Sequence, residues 1–160
     1  MAIDRFVMTG DELTTAITNV QKLISEHQAE WKIKKIYNYD TQKLEQTPAM
    51  AIAFAGANYV PKSFGYGLGK ELGTNFCGCN LCTVNLILYL YFEEFVLGRD
   101  TYSFIGNLGE IAKIFYKNAN LFKLCTAEPM TVNEVSLVGR RLLGNIYWAG
   151  SISVSVPIRF

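Results

Sequence analysis

The N-terminal part of the chain places apolar residues at intervals of three and four, which is the spacing of an amphipathic helix. These apolar positions are Leu13, Ile17, Val20 and Ile24. Thr9 and Glu12 precede them with the spacing of a capping box, in which a hydroxyl and a carboxylate satisfy the first backbone N–H groups of a helix. The pattern therefore predicts a helix that begins after Thr9 and ends near Trp31.

Five further stretches alternate between apolar and polar residues or are apolar throughout, as β-strands do. They are residues 32–39, 48–55, 82–92, 130–142 and 146–160. Gly144 and Asn145 indicate a turn between the last two strands. Because the strand at 82–92 is mostly apolar on both sides, with Tyr89 and Tyr91 on one of them, we expect both of its faces to be covered.

A second helical spacing lies between the third and fourth strands, at Phe104, Leu108, Ile111 and Phe115. This helix is predicted to begin at Thr101 or Ser103 and to end near residues 118–120. The resulting order is α-β-β-(long loop)-β-α-β-β. It predicts an α+β fold in which a mostly antiparallel sheet carries two helices, on one face, within a single domain over residues 1–160.

The long loop, at residues 57–75, follows neither spacing and combines glycines with aromatic residues. Its glycines are Gly65, Gly67, Gly69 and Gly73, and its aromatic residues are Tyr59, Phe64 and Tyr66. A loop of this length in a compact domain is typically functional, and we interpret it as a docking loop. Lys70 follows Gly69, but a phosphate-binding loop would have glycine in place of Phe64 and a hydroxyl residue in place of Glu71.

The composition is rich in apolar residues and poor in charge. Half of the 160 residues are hydrophobic and 18% are charged, with a net charge of +1, against about 25% charged in an average domain. These values exclude intrinsic disorder and do not favour a nucleic-acid binder. The longest apolar run, at 84–92, is too short to span a membrane. The apolar surplus thus predicts surfaces that other protein chains cover.

Four cysteines, Cys77, Cys79, Cys82 and Cys125, raise the alternative of a zinc site. Cys79 and Cys82 have the spacing of one arm of such a site, but the second arm has Cys125 alone. The N-terminal sequence lacks the continuous apolar segment of a secretory signal, so we expect synthesis in the cytoplasm, where disulfides are rare. Small buried thiols are the interpretation that these observations favour, and no metal or other cofactor is expected.

The sequence offers little material for catalysis. His27 is the single histidine and lies on a polar helix face. Nothing assembles a nucleophile, a base and an oxyanion donor, so the pattern does not favour an enzyme. The alternative of a small-ligand enzyme would have to use the glycine-rich loop. The predicted interface residues are Tyr59, Phe64, Tyr66, Lys70, Tyr89, Tyr91, Arg140 and Arg141.

The order of these elements resembles the tail terminator proteins of long-tailed bacteriophages. The matching stretches are residues 13–24, 36–40 (Ile-Tyr-Asn-Tyr-Asp), 48–52 (Pro-Ala-Met-Ala-Ile), 84–92, 104–118 and 152–160. The resemblance covers nearly the whole chain, and the cysteine cluster is a departure from it. Neighbouring neck and head-completion proteins share this pattern of elements, so they stay an alternative.

The resemblance implies a structural virion protein without enzymatic activity. Its copies would form a ring, usually a hexamer, that assembles in the host cytoplasm and becomes part of the tail or neck. The implied partners are the tail tube protein, whose polymerisation the ring stops, and the head–tail connector. Genome DNA would pass through the ring without specific binding, and no membrane would be involved.

Overall fold

A computed structural model of the protein describes residues 12–61, 80–92, 98–117 and 130–159. The elements are α1 (Glu12–Glu26), β1 (Lys35–Tyr37), β2 (Ala49–Pro61), β3 (Asn80–Tyr91), α2 (Thr101–Lys117), β4 (Thr131–Leu142) and β5 (Asn145–Arg159). The predicted α+β class is confirmed, with two helices and a five-stranded mixed sheet among these residues. Neither helix of the described ranges is long and apolar enough to cross a membrane.

The strands lie in the order β1-β2-β3-β5-β4. β1 runs parallel to β2 and pairs with it through three residues, whereas the pairs β2–β3, β3–β5 and β5–β4 are antiparallel. The short β1 and the long β4 therefore form the two edges of the described sheet. Beyond Ala51, the outer side of β2 extends past the residues that pair with β1.

Both helices pack on the same face of the sheet, and their apolar stripes build one core with it. The buried helix residues are Ala16, Val20, Leu23 and Ile24 of α1 and Phe104, Leu108, Ile111 and Phe115 of α2. The strands add Met50, Ile52, Val84, Leu86, Leu88, Leu90, Ile152, Val154 and Val156. Burial of each large aliphatic side chain contributes about 1.5–3 kcal/mol, which makes this core the main source of stability.

Several predicted boundaries are wrong, for local reasons. α1 ends at Glu26 and turns occupy 27–32, where Lys32 has a φ of 57°. β2 does not end at Gly56, because that glycine, at a φ of 113°, lies in a bulge between Phe54 and Ala57. A bulge bends a strand without ending it, so the first five residues of the predicted 57–75 loop are strand.

The turn between the last two strands lies one residue earlier than predicted, at Leu143 and Gly144. Several other predictions lie outside the described residues. They are the Thr9 cap, the end of the second helix at 118–120, and the candidate residues Phe64, Tyr66, Lys70, Cys77, Cys79 and Cys125.

Candidate functional site

The face of the sheet opposite the helices, here called the open face, carries a second and smaller apolar cluster. Its buried members are Tyr37, Ala49, Ala51, Tyr91, Leu142 and Ala149. Ala49 and Ala51 alternate along β2 with Met50 and Ile52 of the helix-side core, as side chains on opposite faces of a strand do. Leu44, from the loop between β1 and β2, packs against the cluster. This loop therefore covers one end of the open face.

Arg140 joins this loop to the sheet. Its Nη1 donates to Asp40 Oδ1 at 2.6 Å and its Nη2 donates to Asp40 Oδ2 at 2.9 Å, which is a bidentate ion pair. Nη1 also donates to the Tyr91 hydroxyl at 2.7 Å. The guanidinium carbon lies 3.9 Å from the centre of the Tyr89 ring, which is cation–π geometry. Arg140, Asp40, Tyr89 and Tyr91 are called the arginine cluster below.

The arginine cluster shifts the pKa values of two of its members. The hydrogen bond to Asp40 is the main reason that the pKa of Arg140 rises still further above its usual value, although burial opposes the rise. Burial raises the pKa of the Tyr91 phenol above 10.0, and the hydrogen bond and positive charge of Arg140 oppose that shift. Both groups thus keep their protons at neutral pH, so the hydrogen bonds of the arginine cluster persist there.

We expect Tyr91 to make the protein less stable in strong base. The unfolded phenol titrates near pH 10, whereas the folded phenol holds its proton to a higher pH. The contribution of Tyr91 is therefore complete below pH 10 and is lost as the pH rises through the folded pKa, by at most about 1.4 kcal/mol per pH unit. Urea unfolding at pH 9 and pH 11 should show a larger loss for the wild type than for Tyr91→Phe. An equal loss in both proteins would contradict the burial argument.

The hairpin of β4 and β5 extends beyond the rest of the sheet. Tyr91 and Ala149 form the last pair between β3 and β5, and four further pairs of β4 with β5 follow before the turn. At about 3.3 Å per residue this extension measures about 13 Å. Arg141 faces Ile146 across the hairpin, on the face opposite to that of Arg140. The arginine cluster therefore supports one side of the extension and leaves the other side for contacts.

The far end of the open face is polar. Asn133 Nδ2 donates to Ser155 Oγ at 2.7 Å, and Ser155 Oγ donates to Asn85 Oδ1 at 2.8 Å. This chain of hydrogen bonds crosses β4, β5 and β3. Ser155, one of the serines at alternate positions of β5, thus has polar neighbours on both adjacent strands.

A cleft lies on the helix side of the sheet, between α2 and the turn that follows α1. Its volume is about 400 Å³, and its lining includes Trp31, Phe92 and Ile111. Glu30 and Glu110 also line it. The cleft, called the Trp31 cleft below, combines apolar walls with carboxylates, and it lies over the end of β3.

The structure brings three of the predicted interface residues together and separates others. Tyr89, Tyr91 and Arg140 meet in the arginine cluster, where Tyr91 has no exposed surface and serves to hold Arg140. Arg141 lies on the opposite face, and Tyr59, which is 55% exposed, lies toward the other end of β2. Sequence reasoning missed Asp40, because it lies a hundred residues from Arg140 in a segment with turn composition only.

The cysteine hypothesis concerns mostly residues outside the described ranges. Cys82 is buried in the helix-side core. His27 lies in the turn after α1, where it stacks on Trp31 with ring centres 5.0 Å apart and Nδ1 lies 3.0 Å from Glu30. Within residues 12–61, 80–92, 98–117 and 130–159, no three His, Cys, Asp or Glu side chains converge to hold a metal ion.

The sequence matches no protein-family model, and no curated protein matches it at a significant level.

Proposed function

We propose that this protein is a structural subunit of a bacteriophage tail, a tail terminator. Its copies would form a ring, a hexamer in this proposal, that caps the tail tube, stops its polymerisation and joins the tail to the head connector. The choice of this family rests on the resemblance in the order of elements. The inference that the subunit contacts several neighbours rests on its exposed apolar side chains.

The observation that carries the proposal is the distribution of exposed apolar side chains. Among the described residues they are Tyr102, Ile105 and Tyr116 on α2, Val135, Leu143 and Ile146 on the hairpin, Phe54 and Tyr59 on β2, and Tyr39 in the loop after β1. They are distributed over α2, the hairpin, β2 and the loop after β1. A ring subunit between a tube and a connector contacts one copy of itself on each side, through two different surfaces, and one partner at each end. Exposed apolar side chains on several elements support this role.

Native mass spectrometry of the full-length chain, alone and with the tail tube protein of the same phage, tests the proposal. Six copies of the 18.0 kDa chain give a complex of 108 kDa, which we expect alone or on the tube. Tubes grown with the protein present should stop at a defined length in electron micrographs, and tubes grown without it should overgrow.

Two results would contradict the proposal in different ways. A chain that stays an 18.0 kDa monomer in both samples, and that leaves tube growth unchanged, would exclude a tail terminator. A ring that binds the head connector but ignores the tube would favour the alternative of a neck or head-completion protein. The control is bovine serum albumin at the same concentration, which should leave tube length unchanged.

A further inference from the structure

The outward side of α2 carries the two most exposed large apolar side chains of the described residues. Tyr102 is 88% exposed and Tyr116 is 72% exposed. Each is seven residues from Gly109, and seven residues make nearly two full turns of helix, so the three residues lie along one line. Ile105, which is 51% exposed, lies beside this line. These four residues, called the tyrosine stripe below, face away from the helix side that is buried in the core.

Two glycines in the interior of α2 have no explanation within the described part of the chain. Glycine is less favourable inside a helix than every residue except proline. A Cβ atom at Gly106 or at Gly109 would meet no other atom within 4 Å, so neither glycine makes room for a neighbouring element. Close approach of another backbone is a common reason for glycine at such a position. The two glycines therefore indicate a partner that contacts the middle of the stripe.

The tyrosine stripe is symmetric about Gly109, and this symmetry indicates a second copy of the chain as the partner. When two copies of α2 cross in antiparallel orientation at Gly109, each residue lies level with the residue at the same distance on the other side of the centre. Tyr102 of one copy then lies level with Tyr116 of the second copy, about 10 Å from the crossing point. Aromatic side chains at such spacing pack well against each other.

The other residues on this side of α2 are compatible with the same alignment. Gly106 lies level with Ala112, so two small residues adjoin the crossing point and let the helix axes approach. Ile105 lies level with Lys113, whose aliphatic stem can cover it while its ammonium group stays in water. No two like charges of α2 lie level with each other in this alignment.

We propose that two copies of the free chain pair through α2, in antiparallel orientation, with Gly109 at the point where the helices cross. This two-fold contact is closed and uses the same surface on both copies, so it differs from the head-to-tail contacts of a ring and goes beyond the proposed function. A single helix pair buries less than the roughly 1,200 Å² of the smallest standard interfaces. The dimer therefore dissociates on dilution.

The first test changes the crossing point without harming the helix. Sedimentation equilibrium of the full-length chain, without tube protein, should show masses that rise from 18.0 kDa toward 36.0 kDa with concentration. Gly109→Gln replaces glycine by a good helix former, so the Tm of the monomer should rise by about 2–4 °C. The same side chain blocks the close approach, and the dissociation constant should rise about tenfold or more.

The matched control for this variant is Ser103→Gln. Ser103 is an exposed residue of α2 outside the tyrosine stripe, and the change introduces the same side chain into the same helix. Its dissociation constant should equal that of the wild type. A Gly109→Gln protein that associates as strongly as this control would overturn the proposal.

The second test asks whether the two helices are antiparallel. Tyr102→Glu and Tyr116→Lys each remove both tyrosine contacts from their own homodimer. Each should therefore be monomeric at a concentration at which the wild type is dimeric. In an equimolar mixture, the heterodimer keeps one contact between two tyrosines and places opposite charges at the other. Native mass spectrometry should detect this heterodimer.

A second mixture is the control for the charge. Tyr102→Glu mixed with Tyr116→Glu keeps the same contact between two tyrosines but places like charges at the other, so it should form less heterodimer. Equal amounts of heterodimer in the two mixtures, or none in either, would overturn the antiparallel alignment.

The remaining outcomes separate this inference from the proposed function. A wild-type chain whose mass stays at 18.0 kDa at every concentration without tube protein, but that caps tubes as a ring, would overturn the pairing through α2 and leave the tail terminator standing. A chain that pairs through α2 but leaves tube growth unchanged would support the pairing and remove the tail terminator.

Discussion

Gly150→Val is expected to lower the free energy of unfolding by about 3 kcal/mol, as overpacking of a well-packed core does. Gly150 is buried in β5 directly beneath α2. A Cβ atom there would lie 2.6 Å from Leu108 Cδ1 and 3.0 Å from Phe104 Cε1, which is closer than carbon atoms approach. Both neighbours are themselves buried, so α2 has to shift away from the sheet. Urea unfolding followed by circular dichroism measures the loss.

Two further variants show that the crowding is the cause. Gly139→Val, in β4, would place its Cβ 3.8 Å from the Trp148 ring, an ordinary contact, and should change stability by no more than about 0.5 kcal/mol. Leu108→Ala makes room beside Gly150. The double variant should be at least about 1 kcal/mol more stable than the sum of the two single changes predicts. Unfolding of Gly150→Val at the wild-type urea concentration would disprove the close approach.

The α+β class could be predicted from the sequence because periodicity reports which side of an element is buried. Leu108 and Phe115 recur at helical spacing, and Leu86 and Leu88 alternate along a strand, so the core residues were identifiable. The close approach at Gly150 was not, because it depends on where α2 crosses β5. No local pattern in the sequence carries that information.

The bulge in β2 and the position of the β4–β5 turn were not predicted correctly, for a related reason. Gly56 is equally compatible with the end of a strand and with a bulge, and the pairing with β3 decides between them. Gly144 and Asn145 are both turn-forming residues, but the register of β4 against β5 centres the turn on Leu143 and Gly144. Leucine is not a typical turn residue, so the local sequence predicted the turn one residue too late in the chain.

The sequence places only two members of the arginine cluster near each other. Tyr89 and Tyr91 are two residues apart on a strand, so the sequence alone places them on one face. That Arg140 reaches them depends on the order of the strands, since β5 lies between β3 and β4. The Trp31 cleft combines four segments that are separate in sequence, and its existence follows only from the packing of α2 beside the turn after α1.

Arg140→Met is expected to lower the free energy of unfolding by about 2–3 kcal/mol. The change removes the bidentate pair with Asp40 and leaves the buried Tyr91 hydroxyl without its donor, and an unsatisfied buried polar group costs about 1–3 kcal/mol. Methionine keeps an apolar stem against the Tyr89 ring, so the loss reports the charge and the hydrogen bonds. Arg141→Met is the control, because Arg141 is exposed and lies on the face opposite to that of Arg140. This change should alter the free energy of unfolding by no more than about 0.5 kcal/mol. Both are measured at a protein concentration at which the chain is monomeric.

A double-mutant cycle with Tyr91→Phe isolates the hydrogen bond within this loss. Tyr91→Phe alone should cost about 1 kcal/mol, because it removes a hydroxyl that accepts from Arg140 Nη1 at 2.7 Å. In the Arg140→Met background the hydroxyl has already lost this donor, so its removal should cost close to nothing or even stabilise the protein. We therefore expect a coupling energy of about 1 kcal/mol or more between the two positions. Strictly additive losses would mean that the Tyr91 hydroxyl draws its stabilisation from a group other than Arg140.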